Sequence, residues 1–201
     1  MRYFTRVLHL LVCLASLSFG QHLSIGVKVG VPFTDAFADH SMIGVDVLQR
    51  TFSDSKLYLV GPMIELHLPL GLSVEAGGLY HPLNFATENR IAPRPAVFRS
   101  SNNYSSWEFP ILGKYRLPVP LIKPYVEAGP NFRTLGGNFD SYVSQAGFTI
   151  GGGVEFKITK LRIAPELRYT RWGDDEKPGR GVGSLAPSNV NQAAFLVGFS
   201  F

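Results

Sequence analysis

The stretch Leu23-Ser-Ile-Gly-Val-Lys-Val-Gly-Val31 alternates apolar residues with small or charged ones. Apolar side chains stand at every second position, and Lys28 lies on the opposite face. This is the period of a β-strand, in which successive side chains point to opposite faces, and not the helical period of about 3.6 residues. The stretch therefore predicts a strand with one apolar face and one polar face.

The same alternation returns along the whole chain. Ten residues that rise about 3.3 Å each, tilted by about 40°, cover roughly 25 Å, the height of the apolar band of an outer-membrane barrel. Together with the first run, the later runs predict an all-β fold, an eight-stranded antiparallel up-and-down transmembrane β-barrel. These later runs span residues 58–68, 72–81, 107–117, 123–133, 148–158, 161–170 and 192–201.

The connections between the runs alternate in length. Short turns fall at 69–71, 118–121 and 159–160, and both chain ends lie on their side of the barrel. Tight periplasmic turns and longer external loops are the anatomy of bacterial outer-membrane barrels. We therefore predict four long external loops, at 32–56, 85–103, 135–145 and 173–190.

Aromatic residues on the apolar face collect near the strand ends. Two bands with aliphatic residues between them are the girdles expected at the two membrane interfaces. The alternative is a lipocalin-like barrel, whose apolar face points inward around a small ligand. That alternative leaves both the bands and the loop asymmetry unexplained. The bands comprise Tyr58, Tyr80, Trp107, Phe109, Phe132, Phe148 and Tyr169 at the loop end, and Tyr115, Phe156, Phe199 and Phe201 at the turn end.

The N-terminal segment has the layout of a secretory signal peptide. Two arginines precede an apolar run over residues 7–19, and small residues stand at the −3 and −1 positions before Gln21. We predict a cleaved signal peptide at 1–20 and an outer-membrane barrel domain at 21–201. Cleavage removes Cys13, the only cysteine, so the mature chain has no disulfide, thiolate nucleophile or cysteine metal ligand.

Composition and charge distribution argue against a charge-rich chain, a protein with a membrane-spanning helix and a nucleic-acid-binding protein. Charged residues make up 17% of the 201 residues, against about 25% in typical soluble domains. No window holds the roughly 18 consecutive apolar residues that a membrane-spanning helix needs. The basic residues are dispersed rather than clustered, so the sequence predicts no nucleic-acid partner.

Three stretches carry a resemblance to a known family. These are Val60-Gly-Pro-Met-Ile-Glu-Leu66, Trp107-Glu-Phe-Pro-Ile-Leu112 and the terminal Phe195-Leu-Val-Gly-Phe-Ser-Phe201. With the signal peptide and the alternating strands, the chain resembles the small outer-membrane β-barrel domain proteins, the OmpA/OmpX-like and PorT-like barrels. The resemblance implies a place in the outer membrane of a Gram-negative-type envelope, among outer-membrane lipids. It also implies that Phe199 and Phe201 form the C-terminal signal read by the barrel-assembly machinery.

The inward face holds most of the charges. An eight-stranded barrel is only wide enough for side chains to fill it, and isolated charges there are costly, so acids and bases should pair. Five glutamates lie at a similar distance from the turns and predict one acidic layer. We therefore predict an interior ionic network of Glu65, Glu75, Glu127, Glu155, Glu166, Lys114, Lys157, Arg162 and Arg168.

Other inward charges leave an alternative open. Glu108, Lys28, Arg116, Lys123 and Arg133 also fall on inward strand positions. The simpler interpretation is a plug of salt bridges that fixes the barrel and blocks flow. The alternative is a narrow, porin-like path for ions or small solutes through rearranging pairs.

Catalysis finds little support in the sequence. Asp39, His40 and Ser41 are the best candidate for a rim-sited lipid hydrolase, but short polar residues are ordinary loop composition. The acidic run at 174–176 fits a hydrated loop, and glycines 151–153 fit bending or close packing within a strand. We expect a monomeric barrel that is not an enzyme, has no cofactor or metal site, and binds an unknown external ligand through its loops.

Prolines inside the strands remove ladder hydrogen-bond donors, so we expect local β-bulges there. They are Pro62, Pro110, Pro124, Pro130 and Pro165.

Overall fold

The computed structural model describes residues 23–35, 40–43, 47–53, 58–91, 96–120, 122–135, 145–173 and 189–201. The predicted signal peptide and Cys13 lie outside the described residues, so the division of the chain at residue 20 stays a prediction. Within the described part of the chain, no helix combines the length and apolar character needed to cross a membrane.

The described chain is built almost wholly of β-strands, with one short 3-10 turn at Pro69–Gly71. The alternating apolar positions of the sequence fall within these strands. The strands are β1 Leu23–Pro32, β2 His40–Ile43, β3 Val47–Ser53, β4 Leu59–His67, β5 Leu72–Gly77, β6 Leu79–Ile91, β7 Ala96–Arg116, β8 Ile122–Leu135, β9 Ala146–Ile158, β10 Leu161–Trp172 and β11 Asn191–Ser200.

Eight strand positions close into an antiparallel barrel. The hydrogen-bonded order runs β1, β11, β10, β9, β8, β7, β5, β4, and β4 pairs back with β1. Val27 of β1 accordingly lies opposite Phe199 of β11 on one side and Pro62 of β4 on the other. Strands β5 and β6 form one barrel strand broken at Gly78, because β4 pairs with both in a single register. The predicted eight-stranded antiparallel transmembrane-type barrel is confirmed.

The apolar face of each strand points outward. On β1, the side chains of Leu23 and Ile25 are 59% and 61% exposed, whereas Ser24 and Lys28 are 2% exposed. A water-soluble barrel of the lipocalin type would have the opposite arrangement. The exterior is therefore built to contact lipid, and the lipocalin-like alternative is excluded.

Part of the predicted outward aromatic band forms a continuous row at the loop end. The ring centroids of Tyr58 and Tyr80 are 6.5 Å apart, those of Tyr80 and Trp107 are 5.4 Å apart, and those of Trp107 and Phe109 are 6.4 Å apart. The row runs from Tyr58, just before β4, across β6 to β7, and such aromatic side chains suit a membrane–water interface.

The described parts of two predicted long loops are largely strand. Strands β6 and β7 stay paired from Leu79↔Glu108 to Ile91↔Ala96, and β3 and β2 join the edge of β6. This four-stranded extension, the external sheet, covers much of the predicted loops 32–56 and 85–103. Polar composition suggested loops, but backbone hydrogen bonds continue a ladder that the barrel has already aligned. Residues 136–144 and 174–188 of the other two loops lie outside the described residues.

The prolines produce no bulges in the described pairings. The register of β9 with β10 is the same on both sides of Pro165, although pairing is interrupted between Ile163↔Phe156 and Glu166↔Gly153. The register of β7 with β8 is likewise unchanged across Pro110 and Pro130. A proline lacks the amide hydrogen but not the residue spacing, so it costs a ladder bond without inserting an extra residue.

Candidate functional site

The charged interior of the barrel is the candidate site. We call its middle layer the central ion cluster, which holds three carboxylates and three basic groups, none more than 6% exposed. The pleat turns every second residue of each strand inward, so residues far apart in sequence converge on the barrel axis. The members are Lys28, Glu75, Lys114, Glu127, Glu166 and Arg168.

Lys28 bridges two glutamates, whereas Lys114 contacts all three, with Glu166 Oε2 the most distant at 3.8 Å. Lys28 Nζ lies 2.6 Å from Glu75 Oε1 and 2.6 Å from Glu166 Oε1. Lys114 Nζ lies 2.5 Å from Glu75 Oε2 and 3.2 Å from Glu127 Oε2. Glu75 therefore binds a different ammonium group with each of its oxygens.

Arg168 connects all three carboxylates of the cluster. Its Nη2 donates to Glu75 Oε1 at 2.7 Å, and its Nε donates to Glu127 Oε1 at 2.7 Å. The same Nε lies 2.9 Å from Glu166 Oε1. The planar guanidinium holds its donors in a fixed fork, which suits one cation to several carboxylates. The formal charges of the cluster cancel, as the burial of charges requires.

Tyr125 supports the cluster from β8. Its hydroxyl donates to Glu166 Oε2 at 2.6 Å, and Lys114 Nζ lies 4.7 Å from the centre of its ring. Tyr125 thus satisfies the second oxygen of Glu166 and offers its ring face to a buried ammonium group.

A second set of ionic contacts lies beside the central ion cluster and reaches toward the turns. Arg116 Nε donates to Glu155 Oε2 at 2.9 Å, and its Nη2 donates to Glu65 Oε1 at 2.5 Å. Ser73 Oγ accepts from Arg116 Nη1 at 2.7 Å and donates to Glu65 Oε1 at 2.5 Å. We call these four residues the turn-end cluster.

The five predicted glutamates therefore divide between two sets of ionic contacts. Glu75, Glu127 and Glu166 belong to the central ion cluster, whereas Glu65 and Glu155 belong to the turn-end cluster. The cause is visible in the register of β4 and β5, where Glu65 lies directly opposite Glu75. Like charges that face each other repel, and the two carboxylates turn to different basic groups.

Two predicted members of the network lie apart from both clusters. Lys157 is exposed and stands two residues before the turn at residues 159–160. Arg162 contacts His67 Nε2 through Nη1 rather than a carboxylate. Lys157 and Arg162 are thus corrections to the predicted network. Lys28 and Arg116 were predicted to point inward but were not assigned to the network. Tyr125 and Ser73 are uncharged, so a search for charged side chains could not identify them.

Glycines of β9 make room for the cluster. A Cβ atom at Gly151 would lie 2.8 Å from Glu127 Oε1, and one at Gly153 would lie 2.8 Å from the Tyr125 hydroxyl. Neither contact is tolerable without movement. The glycine run predicted to bend or to pack closely therefore serves close packing.

The loop-end part of the interior holds a cavity of about 30 Å³. Its polar lining residues include Arg168 and Thr170, and its apolar lining residues include Leu59, Leu79 and Leu196. His81, Glu108 and Asn131 also line it; Glu108 was predicted to point inward, whereas His81 and Asn131 were not singled out from the sequence. The pattern that could have identified them is the strand alternation, which places all three residues at inward positions on adjacent strands.

Most of the other candidate residues from the sequence lie outside the described residues. His40 and Ser41 lie in β2, whereas Asp39 and the acidic run at 174–176 lie outside the described residues. The Asp39, His40 and Ser41 candidate therefore stays a prediction.

Comparison with known proteins finds no matching family model and no matching curated protein. Among solved structures, the chain is similar to the outer membrane enzyme PagL, with a TM-score of 0.39 and 12% sequence identity. The match covers 89% of this chain and 98% of the PagL chain. The finer resemblance to OmpA/OmpX-like and PorT-like barrels therefore stays a prediction.

The expectation that the chain is not an enzyme is contradicted by this comparison, because the matched structure is that of an enzyme. The expectation rested on Asp39, His40 and Ser41 being the best hydrolase candidate and on short polar residues being ordinary loop composition. An active site assembled from separate strands would leave no local pattern, so the sequence alone does not exclude one.

Proposed function

We propose that the protein is an integral outer-membrane protein of the OmpA/OmpX-like or PorT-like kind, closed to solutes, which presents the external sheet as a binding surface. Its lateral partners are outer-membrane lipids, and the barrel-assembly machinery inserts it after export and removal of residues 1–20. The ligand of the external sheet is a molecule outside the cell.

The central ion cluster carries the closed-lumen part of the proposal. Its side chains come from β1, β5, β7, β8 and β10, and their direct contacts at 2.5–3.2 Å join opposite walls of the barrel. A conducting path would have to separate buried opposite charges, which costs several kcal/mol per ion. This supports a plug over the narrow pore.

Single-channel conductance in a planar bilayer tests the closed lumen. The same refolded sample is checked for a heat-dependent gel shift, so that a silent bilayer can be traced to folded protein. We expect folded protein without conductance steps. Reproducible steps that change in Glu127→Gln or Arg168→Gln would overturn the plug in favour of the narrow pore.

Surface labelling tests the location and the orientation. The predicted mature chain has no cysteine, so single cysteines can be introduced at Ser100 in the external sheet and at Lys160 in a short turn. A membrane-impermeant maleimide added to whole cells should label Ser100→Cys but not Lys160→Cys. Labelling of Lys160→Cys should require permeabilised cells, and the reverse pattern would contradict the proposed orientation.

A further inference from the structure

The loop-end cavity brings together three side chains of the types that bind metal ions. His81 on β6, Glu108 on β7 and Asn131 on β8 lie on neighbouring strands and line the cavity. His81 and Asn131 are each only 3% exposed. Its volume of about 30 Å³ leaves room for about two water molecules. The cavity can therefore hold a small ion together with a water molecule.

Of the two polar atoms of the Asn131 side chain, only the nitrogen has a hydrogen-bond partner among the described residues. Its Nδ2 donates to Glu108 Oε2 at 3.2 Å. Its Oδ1 is buried and accepts no hydrogen bond from the described residues. A buried acceptor without a donor is rare in proteins, because its lost hydration is not replaced. A cation, or a water molecule held by one, would supply what this oxygen lacks.

The histidine and the glutamate are spaced for a shared ion. His81 Nδ1 lies 3.9 Å from Glu108 Oε1, which is too long for a hydrogen bond between them. Two ligand atoms about 2.1 Å from one zinc ion are separated by about 3.4 Å in tetrahedral geometry and by at most about 4.2 Å. The observed separation falls between these limits.

We propose that His81, Glu108 and Asn131 bind a divalent transition-metal ion at the loop end of the barrel interior. Zn²⁺ is the best probe, because imidazole and carboxylate are among its usual ligands. No three His, Cys, Asp or Glu side chains converge on a metal position in the described part of the chain. The site therefore consists of two such groups, one amide oxygen and a water molecule, and it departs from the expectation of no metal.

Isothermal titration of the folded protein in detergent with Zn²⁺ tests the site. We expect one equivalent to bind. The variants His81→Gln and Glu108→Gln should each lower the affinity by more than about 10-fold, since even the loss of an outer-shell partner costs that much. Glu108→Gln keeps an acceptor for Asn131 Nδ2, and the heat-dependent gel shift verifies that each variant is folded.

Two histidine variants serve as matched controls. His67 lies at the turn end of β4, and His22 would stand beside the new amino terminus after cleavage. His67→Gln and His22→Gln should bind Zn²⁺ as the unaltered protein does. Absence of saturable binding by the folded unaltered protein, or equal affinity in His81→Gln, would overturn the proposal. Co²⁺ gives an independent readout, because its visible spectrum should change on binding and should not change in His81→Gln.

Discussion

Lys28 Nζ lies 2.6 Å from Glu166 Oε1, although 138 residues separate the two in the chain. Lys28 is on β1 and Glu166 is on β10, and β11 lies between these strands. The contact therefore forms only when the last strands of the chain have joined the first. The central ion cluster is therefore completed by barrel closure, and its loss should lower the stability of the whole barrel.

The first prediction concerns Glu166. In Glu166→Leu, Lys28 loses one of its two carboxylates and the Tyr125 hydroxyl loses its acceptor. Removing one partner from a buried charged network leaves an uncompensated charge, so we expect the free energy of unfolding to fall by about 3–5 kcal/mol. Urea unfolding in lipid vesicles, followed by tryptophan fluorescence, measures this change.

Arg171→Gln is the control for this measurement. Arg171 is exposed at the loop end and donates to Asn191 Oδ1 at 3.2 Å. Its replacement should alter the free energy of unfolding by less than about 0.5 kcal/mol, as surface substitutions usually do. Equal stability of Glu166→Leu and Arg171→Gln would contradict the importance of the cluster for stability.

The second prediction concerns Gly151. A Cβ atom there would lie 2.8 Å from both Glu127 Oε1 and the backbone oxygen of Leu167, and the backbone cannot give way cheaply. Overpacking of this kind costs about 1–3 kcal/mol, so Gly151→Ala should unfold at lower urea concentration. Gly113→Ala is the matched control, since a Cβ atom there would lie 3.7 Å from Ala128 O. A loss of similar size in both variants would show that the crowding at Gly151 is not the cause.

The barrel strands could be predicted from the sequence because each one alternates on its own. The period of two in β1 depends only on residues 23–31 and needs no knowledge of the neighbouring strands. The inward position of Lys28 and Glu166 follows from the same local pattern. For this reason the sequence correctly predicted the eight barrel strands and which face of each strand points outward.

The partners inside the barrel could not be predicted, because they depend on register and stagger between strands. The sequence places Glu65 and Glu75 at similar depth, which agrees with their direct opposition across β4 and β5, but it does not show that the two carboxylates bind different basic groups. Lys157 occupies an inward position in the alternating pattern, but its side chain is exposed because it lies close to a turn at the end of the strand. The external sheet was missed for a related reason, since its strands are held by backbone hydrogen bonds and carry no apolar alternation.

The third prediction concerns the turn between β9 and β10. Thr159 has a φ of 58°, a left-handed conformation that is a genuine outlier for a β-branched residue but is tolerated by asparagine. Thr159→Asn should therefore raise the free energy of unfolding by about 1 kcal/mol. Lys160→Asn, at the next residue of the same turn, should bring no gain. Urea unfolding compares the two variants, and equal effects would mean that the backbone strain at Thr159 is not relieved.

The fourth prediction concerns the end of the chain. Phe201 is 72% exposed, and its backbone amide donates to Ile25 O at 3.1 Å, so its ring adds little to the packing of the barrel. If Phe201 is part of a signal for the barrel-assembly machinery, Phe201→Ser should fold in detergent as the unaltered chain does but should accumulate poorly in the outer membrane of cells. Phe195→Ser is the matched control, because Phe195 lies outward on the same strand, away from the terminus. Membrane fractionation and the heat-dependent gel shift measure both steps, and equal accumulation of the two variants in the outer membrane would contradict the assembly role of Phe201.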